Sequence, residues 1–405
     1  MKKLISIITA IIMTVTVCVP LQVYAQAASH SAEAAKANAT AAPCAYATLA
    51  GVDAPRAYAT LAGVAAPRAY ATLAAGEADY IKSLAITDGD MAGAIQMTSG
   101  DGIVNPYFAD FACLGLTSLG RDTDQQTVLN YINWHISHLN TTETDKNGIA
   151  GTIYDYKDGA ATGDYDSTDS YAATFLTLLD RYSRTWDAGF LKDKSQLTDT
   201  LVCAMMSTYV SKIGLTYAVP GYDECLLMDN CEVYQGLKSA AHIYRYYVGD
   251  DTKAAAMTRR AASVKSSIIK YYWNSSRQAF RASVGVNGKP DSKLILSRFY
   301  ADSSSQLYPV ICGVISPTNK MAKAAYSAFK ANYLRSGVTG RDWAALSVKG
   351  SDGYPWCILL NGVTAMGDKT TAARFIRNLK ARYISKGRPY PYYCGEAGQL
   401  LMAIS

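Results

Sequence analysis

Residues 105–120 read NPYFADFACLGLTSLG, and residues 121–139 read RDTDQQTVLNYINWHISHL. On a helix of period 3.6, apolar residues lie nearly all round the first segment, whereas in the second an apolar stripe alternates with Asp and Gln. The first segment is therefore typical of a buried helix, and the second of a surface helix packed on it. This pair of helices is the unit from which the fold is predicted.

The same pairing recurs along the chain after Gly76. The predicted buried and surface segments are 107–120 with 122–139, 167–184 with 195–212, 229–248 with 250–272, 303–315 with 318–335, 354–366 with 368–385, and 394–404 with 77–86. Strand signals are few, as in Phe280 to Val286 before the Asn287-Gly288 turn. We predict one all-α domain over residues 76–405 with about six inner and six outer helices. A solenoid of stacked helix pairs is the alternative, although the pairs share no sequence repeat.

The N-terminal part of the chain has a different composition. Lys2 and Lys3 precede an apolar run that reaches Val19, and small residues surround Ala25. This pattern predicts a signal peptide over residues 1–25, cleaved after Ala25, and hence a secreted protein without stable membrane insertion. Residues 26–75 are Ala-rich and hold three copies of a twelve-residue unit. We predict that they form a disordered linker, because such copies are shorter than solenoid repeats.

Composition restricts the class of partner. The net charge of +6 is small for 405 residues and does not favour nucleic-acid binding. The chain has 30 tyrosines against 8 phenylalanines, and tyrosine combines a ring that stacks on sugars with a hydroxyl group that forms hydrogen bonds. These features favour a carbohydrate partner, and we expect a monomer without a cofactor.

The cysteines predict packing more than cross-linking. Four lie in apolar helical patterns and are expected in the core: Cys113, Cys203, Cys312 and Cys357. Cys225 and Cys231 form the most plausible disulfide pair in an exported protein. Their spacing matches no zinc pattern, so we predict no structural metal.

Polar residues concentrate at the N-terminal ends of the predicted inner helices: Asn105, Asp164, Asp166, Asp169, Asp229, Asn230, Glu232, Gln306, Trp356 and Glu396. In a ring of inner helices these ends converge on one opening, which we call the mouth. Asp164, Ser167 and Asp229 are expected to act as helix caps. Capping does not explain Glu232 or Glu396, which lie inside helices that otherwise look buried. A buried carboxylate needs a partner or a function.

Three segments carry a resemblance to a known superfamily: YDSTDSYAATFLTLL (165–179), LMDNCEVYQGL (227–237) and YYCGEAGQ (392–399). The first resembles the second inner helix of endoglucanase-type toroids and of glycogen-debranching glucosidase domains. The other two resemble, in position, the acid-bearing and base-bearing segments of glucoamylases. The resemblance to these six-hairpin glycosidases implies an α/α toroid and a glycoside hydrolase. Endoglucanase-type members carry an acidic Glu on the first inner helix, where this chain has Asn105-Pro106-Tyr107-Phe108.

Cleavage of a glycosidic bond needs one carboxylic acid to protonate the leaving oxygen and one carboxylate to activate water or attack carbon. Glu232 is the expected acid, because its apolar surroundings would raise its pKa. Glu396 is the expected base, and their positions on opposite sides of a ring favour inversion. Asp166 and Asp169 are expected as ligands of sugar hydroxyl groups or as the alternative base. The competing interpretation is that each Glu is a structural carboxylate paired with Arg341 or Arg388.

Further side chains are candidates for substrate binding, by stacking or hydrogen bonding: Tyr154, Asp164, Asp229, Asn230, Gln306, Trp343, Trp356, Tyr390 and Tyr393. Two other functions stay open. A polysaccharide lyase would need a Tyr or His as base, and His135, His138 and His242 are poorly placed in the sequence pattern. A non-catalytic glycan-binding or cell-envelope protein would need no paired carboxylates.

Overall fold

A computed structural model describes residues 70–405 of the chain. The predicted signal peptide and most of the predicted linker lie outside the described residues. The first helix begins at Ala71, before the predicted domain start at Gly76. No helix in the described part is long and apolar enough to cross a membrane.

The described residues form an all-α domain of twelve α-helices. They are α1 (Ala71–Ser83), α2 (Pro106–Leu119), α3 (Asp122–Ser137), α4 (Asp169–Thr185), α5 (Ser195–Met205), α6 (Leu227–Ile243), α7 (Asp251–Tyr272), α8 (Tyr308–Ile311), α9 (Lys320–Tyr333), α10 (Ile358–Ala365), α11 (Lys369–Arg382) and α12 (Cys394–Ile404). The even-numbered helices form the inner ring and the odd-numbered helices the outer ring. Each inner helix packs on the next, and α12 packs on α2 and on α1, so the ring of six hairpins is closed. The predicted α/α toroid is confirmed.

Glycines permit the closest approaches within the inner ring. A Cβ atom on Gly398 of α12 would lie 2.0 Å from the carbonyl oxygen of Phe111 on α2, and one on Gly115 would lie 2.6 Å from Gly398 itself. On α6, a Cβ atom on Gly236 would lie 2.8 Å from the Cα atom of Ala173 on α4. Backbones this close leave no room for a side chain. The contact between α12 and α2 that closes the ring therefore depends on Gly115 and Gly398.

Short strands support the loops around the ring. They are β1 (Ile103–Val104), β2 (Tyr156–Lys157), β3 (Ala160–Ala161), β4 (Tyr209–Val210), β5 (Leu215–Thr216), β6 (Glu224–Leu226), β7 (Trp273–Asn274), β8 (Ala279–Phe280), β9 (Ser283–Gly285), β10 (Arg341–Asp342) and β11 (Ser347–Val348). They pair antiparallel as β1-β2-β3, β4-β5, β6-β9, β7-β8 and β10-β11. The pairing of β6 with β9 places Leu226 beside Ser283, just before α6 begins.

Two predicted helices differ from the observed ones for local reasons. The segment 195–212 contains α5 only as far as Met205, after which the β4-β5 hairpin begins. The segment 303–315 contains a 3-10 turn over Ser304–Leu307 followed by the short α8. Pro309 lies in the first turn of α8, where its missing N–H is tolerated, whereas the same residue would interrupt a longer helix.

Two expectations about individual side chains are wrong. The helix starts at α4 and α6 carry no side-chain cap, so Asp164, Ser167 and Asp229 do not cap them. Cys225 and Cys231 are both buried free thiols, so the expected disulfide is absent. Asn105 does cap α2, with its side chain accepting a hydrogen bond from the Phe108 amide.

Candidate active site

Glu232 lies in the first turns of α6, on the inner ring at the mouth, and its side chain is almost completely buried. The hydroxyl group of Tyr107, from α2, donates a hydrogen bond to its Oε1 at 2.7 Å. Burial raises the pKa of Glu232 to about 8; the Tyr107 hydrogen bond opposes this shift and the charge of Asp169 adds to it. At neutral pH Glu232 is therefore mainly a neutral acid with one oxygen already held in place.

Asp169 and Asp229 interact electrostatically with Glu232, and Asp166 interacts in turn with Asp169 and Asp229. Asp169 is fully buried, and burial raises its pKa to about 7. Burial and the charges of Asp169, Glu232 and Asp166 hold the pKa of Asp229 well above its usual range. Asp166 is exposed to solvent, yet the surrounding protein still raises its pKa. A carboxylate in a concave surface can be reached by water and still have a raised pKa, because the surrounding protein replaces part of its hydration.

Asp155 belongs to the same cluster and was missed in the sequence, because it lies in a loop. Its carboxylate accepts hydrogen bonds from Asn105 Nδ2 at 3.0 and 3.1 Å and from the Tyr171 hydroxyl at 3.0 Å. Burial raises the pKa of Asp155 to about 7 in spite of these hydrogen bonds, and the charge of Asp166 contributes. The ring of Tyr171 stacks on Tyr107, with centroids 5.6 Å apart. The Asp155 and Glu232 carboxyl groups are thus joined through two tyrosines.

Glu396 lies in the first turn of α12 and is almost completely buried. Its Oε1 accepts a hydrogen bond from the Trp356 amide at 3.0 Å, and its Oε2 accepts one from the Cys357 amide at 2.6 Å. Burial raises the pKa of Glu396 to about 7, against these hydrogen bonds. Glu396 thus binds the backbone at the start of α10 and needs neither arginine proposed for it.

Those two arginines have other partners. Arg388 pairs with Glu77 on α1 at 2.9 Å, and Arg341 donates a hydrogen bond to the Ser297 carbonyl oxygen at 3.2 Å. Neither Glu232 nor Glu396 therefore pairs with Arg341 or Arg388, as the competing interpretation required.

We call Asp155, Asp166, Asp169, Asp229, Glu232 and Glu396 the mouth carboxylates. None of the ion pairs found between residues of the described part includes one of them; Lys146 pairs with Asp164 and lowers the pKa of Asp166 only from a distance. No group of three or more His, Cys, Asp or Glu side chains in this part of the chain is arranged to hold a metal ion.

Aromatic side chains border the mouth carboxylates. The half-buried Trp356 packs edge-on against Phe299 and lies tilted over Tyr300, with both centroid distances at 5.4 Å. Tyr393 packs on Phe108 at 4.6 Å. Tyr390 is 43 % exposed and its hydroxyl group contacts that of Tyr354. Of the predicted stacking residues, Trp356 and Tyr390 thus keep accessible ring surface, and Tyr393 keeps little.

Four of the predicted binding residues have their side chains occupied by contacts within the protein. Asn230 is fully buried and bonds the backbone of Thr216 and Leu226. Gln306 is buried; its Oε1 accepts a hydrogen bond from the Phe280 amide, and its Nε2 donates one to the Phe280 carbonyl oxygen. Trp343 is 1 % exposed, donates to the Pro355 carbonyl oxygen and stacks on Phe375. Tyr154 is buried against Tyr165, with its hydroxyl group bound to loop backbone.

Asp164 remains accessible, although it forms an ion pair with Lys146. A surface cavity of about 670 Å³ lies away from the mouth carboxylates, lined by Ser276, Arg277, Lys293, Leu294, Ile295, Leu296, Ser297 and Asn332. Its lining includes no carboxylate, so it offers no acid and base pair. None of the mouth carboxylates lines this cavity.

The fold is that of solved glycosidases. The chain is similar to a wild-type glycosidase at 13% identity and a TM-score of 0.58, covering 82% of this chain and 95% of that one. It is also similar to a reducing-end-xylose releasing exo-oligoxylanase complexed with xylobiose (11%, TM-score 0.55, 83% and 93%) and to an alpha-amylase from Clostridium perfringens (12%, TM-score 0.52, 82% and 97%). No family model and no curated protein sequence matches the chain.

Proposed function

We propose that this protein is an exported glycoside hydrolase that cleaves a poly- or oligosaccharide with inversion, using Glu232 as the acid and Glu396 as the base. The observation that carries the proposal is the state of Glu232. It is buried on the inner ring, oriented by Tyr107, free of any ion pair found in the described part, and has a pKa of about 8. A carboxylic acid kept protonated at neutral pH is what protonation of a leaving oxygen requires.

The solved neighbours support the reaction class. They include a glycosidase solved with each of two glutamates replaced by alanine, one of these variants in complex with glucose. They also include an exo-oligoxylanase with xylobiose. The sequence identities are too low to assign a substrate to this chain, so its reaction is inferred from its own mouth carboxylates.

Two properties of Glu396 support its role as the base: its helix lies across the ring from that of Glu232, and its pKa is lower than that of Glu232. Helices α6 and α12 lie on opposite sides of the six-membered inner ring, and an inverting enzyme needs about 6.5 to 9.5 Å between its carboxyl groups for a water molecule. The pKa of about 7 for Glu396 lies below the pKa of about 8 for Glu232. In that order the base is ionised while the acid is still protonated, so kcat/KM should be bell-shaped with its maximum between about pH 7 and 8.

Asp166 is the alternative base, because it reaches solvent and its neighbours already raise its pKa. Small-anion rescue separates the two. In Glu396→Ala and Asp166→Ala, added azide or formate should restore turnover only where the missing carboxylate activated the water. Rescue of Asp166→Ala and not of Glu396→Ala would reassign the base.

A panel of oligosaccharides tests the function as a whole. Turnover should release reducing ends, and NMR of the first product should show the inverted anomer. Ultraviolet absorbance from an unsaturated product would instead establish a lyase. Binding without turnover would establish a non-catalytic glycan-binding protein.

Export is part of the same proposal. Mass spectrometry of the protein from the culture medium should find Gln26 at the N-terminus. An intact Met1 in the membrane fraction would contradict it.

A further inference from the structure

Strand pairing places the loop residue Asp155 beside the start of α2. The pairing of β1 with β2 sets Val104 opposite Tyr156, and the next residues along the two strands are Asn105 and Asp155. Asn105 Nδ2 donates to both oxygens of the Asp155 carboxylate, at 3.0 and 3.1 Å. The Oδ1 atom of the same asparagine accepts a hydrogen bond from the Phe108 amide and caps α2. Asp155 therefore holds the residue that fixes the first turn of α2.

A second support of α2 comes from Tyr171 on α4. Its hydroxyl group donates to Asp155 Oδ1 at 3.0 Å and accepts a hydrogen bond from Asn105 Nδ2 at 2.8 Å. Because the hydroxyl group is used both as donor and as acceptor, the Tyr171 ring is restrained. That ring stacks on Tyr107 of α2, with centroids 5.6 Å apart and planes at 19°. Asp155 thus contacts both side chains that support Tyr107.

Tyr107 is the contact between these supports and the acid. Its hydroxyl group donates a hydrogen bond from α2 to Glu232 Oε1 on α6, at 2.7 Å. With Oε1 held in this way, Oε2 is left to carry the proton that an acid transfers. A misplacement by about 1 Å can lower a rate about 100-fold. Side chains that hold the Tyr107 ring therefore contribute to the placement of the acidic proton.

We propose that Asp155 is a positioning residue, which holds the acid Glu232 in place through Tyr107. Its carboxylate accepts hydrogen bonds from both side chains that support Tyr107, so loss of the carboxylate loosens both supports at once. The inference rests on the proposed function and adds a residue to the mechanism of the same site. Asp155 itself exchanges no proton with the substrate.

The direction of a pKa change at Glu232 separates positioning from a direct effect of charge. Titratable groups on α2, α4, α6 and the α8 segment interact with Glu232: Tyr107, Asp169, Asp229, Cys231, Tyr308 and Cys312. The charge of Asp155 is not among those that shift the pKa of Glu232. The Tyr107 hydrogen bond lowers that pKa, so loosening this bond should raise it. Removal of a nearby negative charge would lower it instead.

Carbon-13 NMR titration of the Glu232 carboxyl group, identified by its absence in Glu232→Gln, tests the inference without turnover. Asp155→Asn leaves one acceptor oxygen for two donors and should raise the pKa of Glu232 by about half a pH unit. In the same variant kcat should fall about tenfold, with KM within about twofold. Tyr171→Phe keeps the stacked ring but loses the hydroxyl group, and it should shift the pKa in the same direction. If Asp155→Asn does not fold, Tyr171→Phe provides the test.

Asp158→Asn is the matched control, because it removes the same charge from the exposed β2-β3 turn, at a left-handed position that Asn tolerates. It should leave the titration of Glu232 unchanged. In the Tyr107→Phe background, Asp155→Asn should add no further shift, since the hydrogen bond through which it acts is gone. An absent or downward shift in Asp155→Asn, an equal shift in Asp158→Asn, or an additive shift in the double variant would overturn the inference.

The outcomes separate this inference from the proposed function. If oligosaccharides are cleaved but Asp155→Asn changes neither the titration of Glu232 nor kcat, the positioning role is wrong and the hydrolase stands. If the titration shifts upward as expected but no oligosaccharide is ever cleaved, the hydrolase is wrong and the contact from Asp155 through Tyr107 to Glu232 stands.

Discussion

Two groups of carboxylates in the described part of the chain differ in their partners. Away from the mouth carboxylates, five buried carboxylates each pair with an arginine: Glu77 with Arg388, Asp124 with Arg121, Asp180 with Arg184, Asp302 with Arg298 and Asp342 with Arg374, at 2.6 to 2.9 Å. The mouth carboxylates take part in none of the ion pairs found in the described part, and their hydrogen bonds come from tyrosine, asparagine or backbone groups. The two groups therefore differ in whether an arginine lies beside the carboxylate, and every mouth carboxylate has a raised pKa. A raised pKa is not confined to the mouth, since burial also raises the pKa of Asp302 in spite of Arg298.

The contrast teaches that burial alone does not identify a functional acid. Glu77 is as buried as Glu232, and both accept a hydrogen bond from a tyrosine. They differ in the presence of a guanidinium group beside Glu77. An acid that must exchange a proton has to be kept from such a partner, because the partner would hold it ionised.

The largest effect expected is on turnover. Glu232→Gln should keep the fold and lower turnover by a factor of about 100 or more, because the amide cannot protonate the leaving oxygen. The free energy of unfolding at neutral pH should rise, because the glutamine is neutral in both states, whereas the wild-type carboxyl group is held neutral in the folded state and ionises on unfolding. Kinetics on the most active substrate of the panel and urea unfolding measure the two. A variant with nearly full activity would remove Glu232 from the mechanism.

The opposite pattern is expected for Glu77→Gln. Loss of the carboxylate leaves Arg388 without its ionic partner and should lower the free energy of unfolding by about 2 kcal/mol. Turnover per folded molecule should stay within about twofold, because the residue acts through packing of α1 on α12. Should both glutamines lower turnover equally, the distinction between the two groups would fail.

The pH dependence of stability sharpens the comparison. Asp155, Asp169 and Glu396 have folded-state pKa values of about 7 and Glu232 one of about 8, all above the unfolded values near 4. Groups raised in this way bind more protons when folded, so their stabilising contribution is complete below about pH 4 and is lost as pH rises through 7 to 8. Urea unfolding should show a loss of about 2 kcal/mol or more between about pH 5 and 9.

Two variants test the origin of this loss of stability: Asp169→Asn removes one of the titrating groups, and Asp368→Asn is the control. Asp169→Asn should reduce the loss between about pH 4 and 7, because this is the interval between the unfolded and the folded pKa of Asp169. Burial opposes the shift at Asp368, but hydrogen bonds from the Thr371 amide, Tyr326 and Lys330 lower its pKa to about 2. Its contribution is present above about pH 4 and is lost only as pH falls towards 2, so Asp368→Asn should leave the alkaline slope unchanged. Stability that is flat from pH 5 to 9 would contradict the raised pKa values.

A smaller effect is expected from Tyr107→Phe. The Tyr107 hydrogen bond lowers the pKa of Glu232, so its loss should move the alkaline limb of the kcat/KM profile upward by about one pH unit or less. Tyr234→Phe, a tyrosine on the same helix as Glu232, is the control and should leave the limb in place. A shift in the acidic limb instead would mean that Tyr107 acts on the base.

The helical pattern predicted an all-α domain of paired helices, and the resemblance to six-hairpin glycosidases was needed to predict that the pairs close into a ring. Apolar spacing predicted the inner and outer helices and their order, because a helix that must bury one face or all of its faces shows this in its own residues. Asn105 and Glu232 were placed at the mouth for the same reason. The sequence could not show that Asn230, Gln306 and Trp343 are occupied by neighbouring backbone groups and rings, since those partners lie 12 or more residues away.

Only the tertiary structure decided which carboxylates lack a cation. Glu77 and Arg388 lie at opposite ends of the domain and meet because α1 packs on the last hairpin, and Asp155 joins the mouth from a loop without a helical signal. The closing contact of Gly115 with Gly398 likewise has no local signature. Helix periodicity is a property of neighbouring residues, whereas charge pairing and close backbone approach depend on which segments the closed ring brings together.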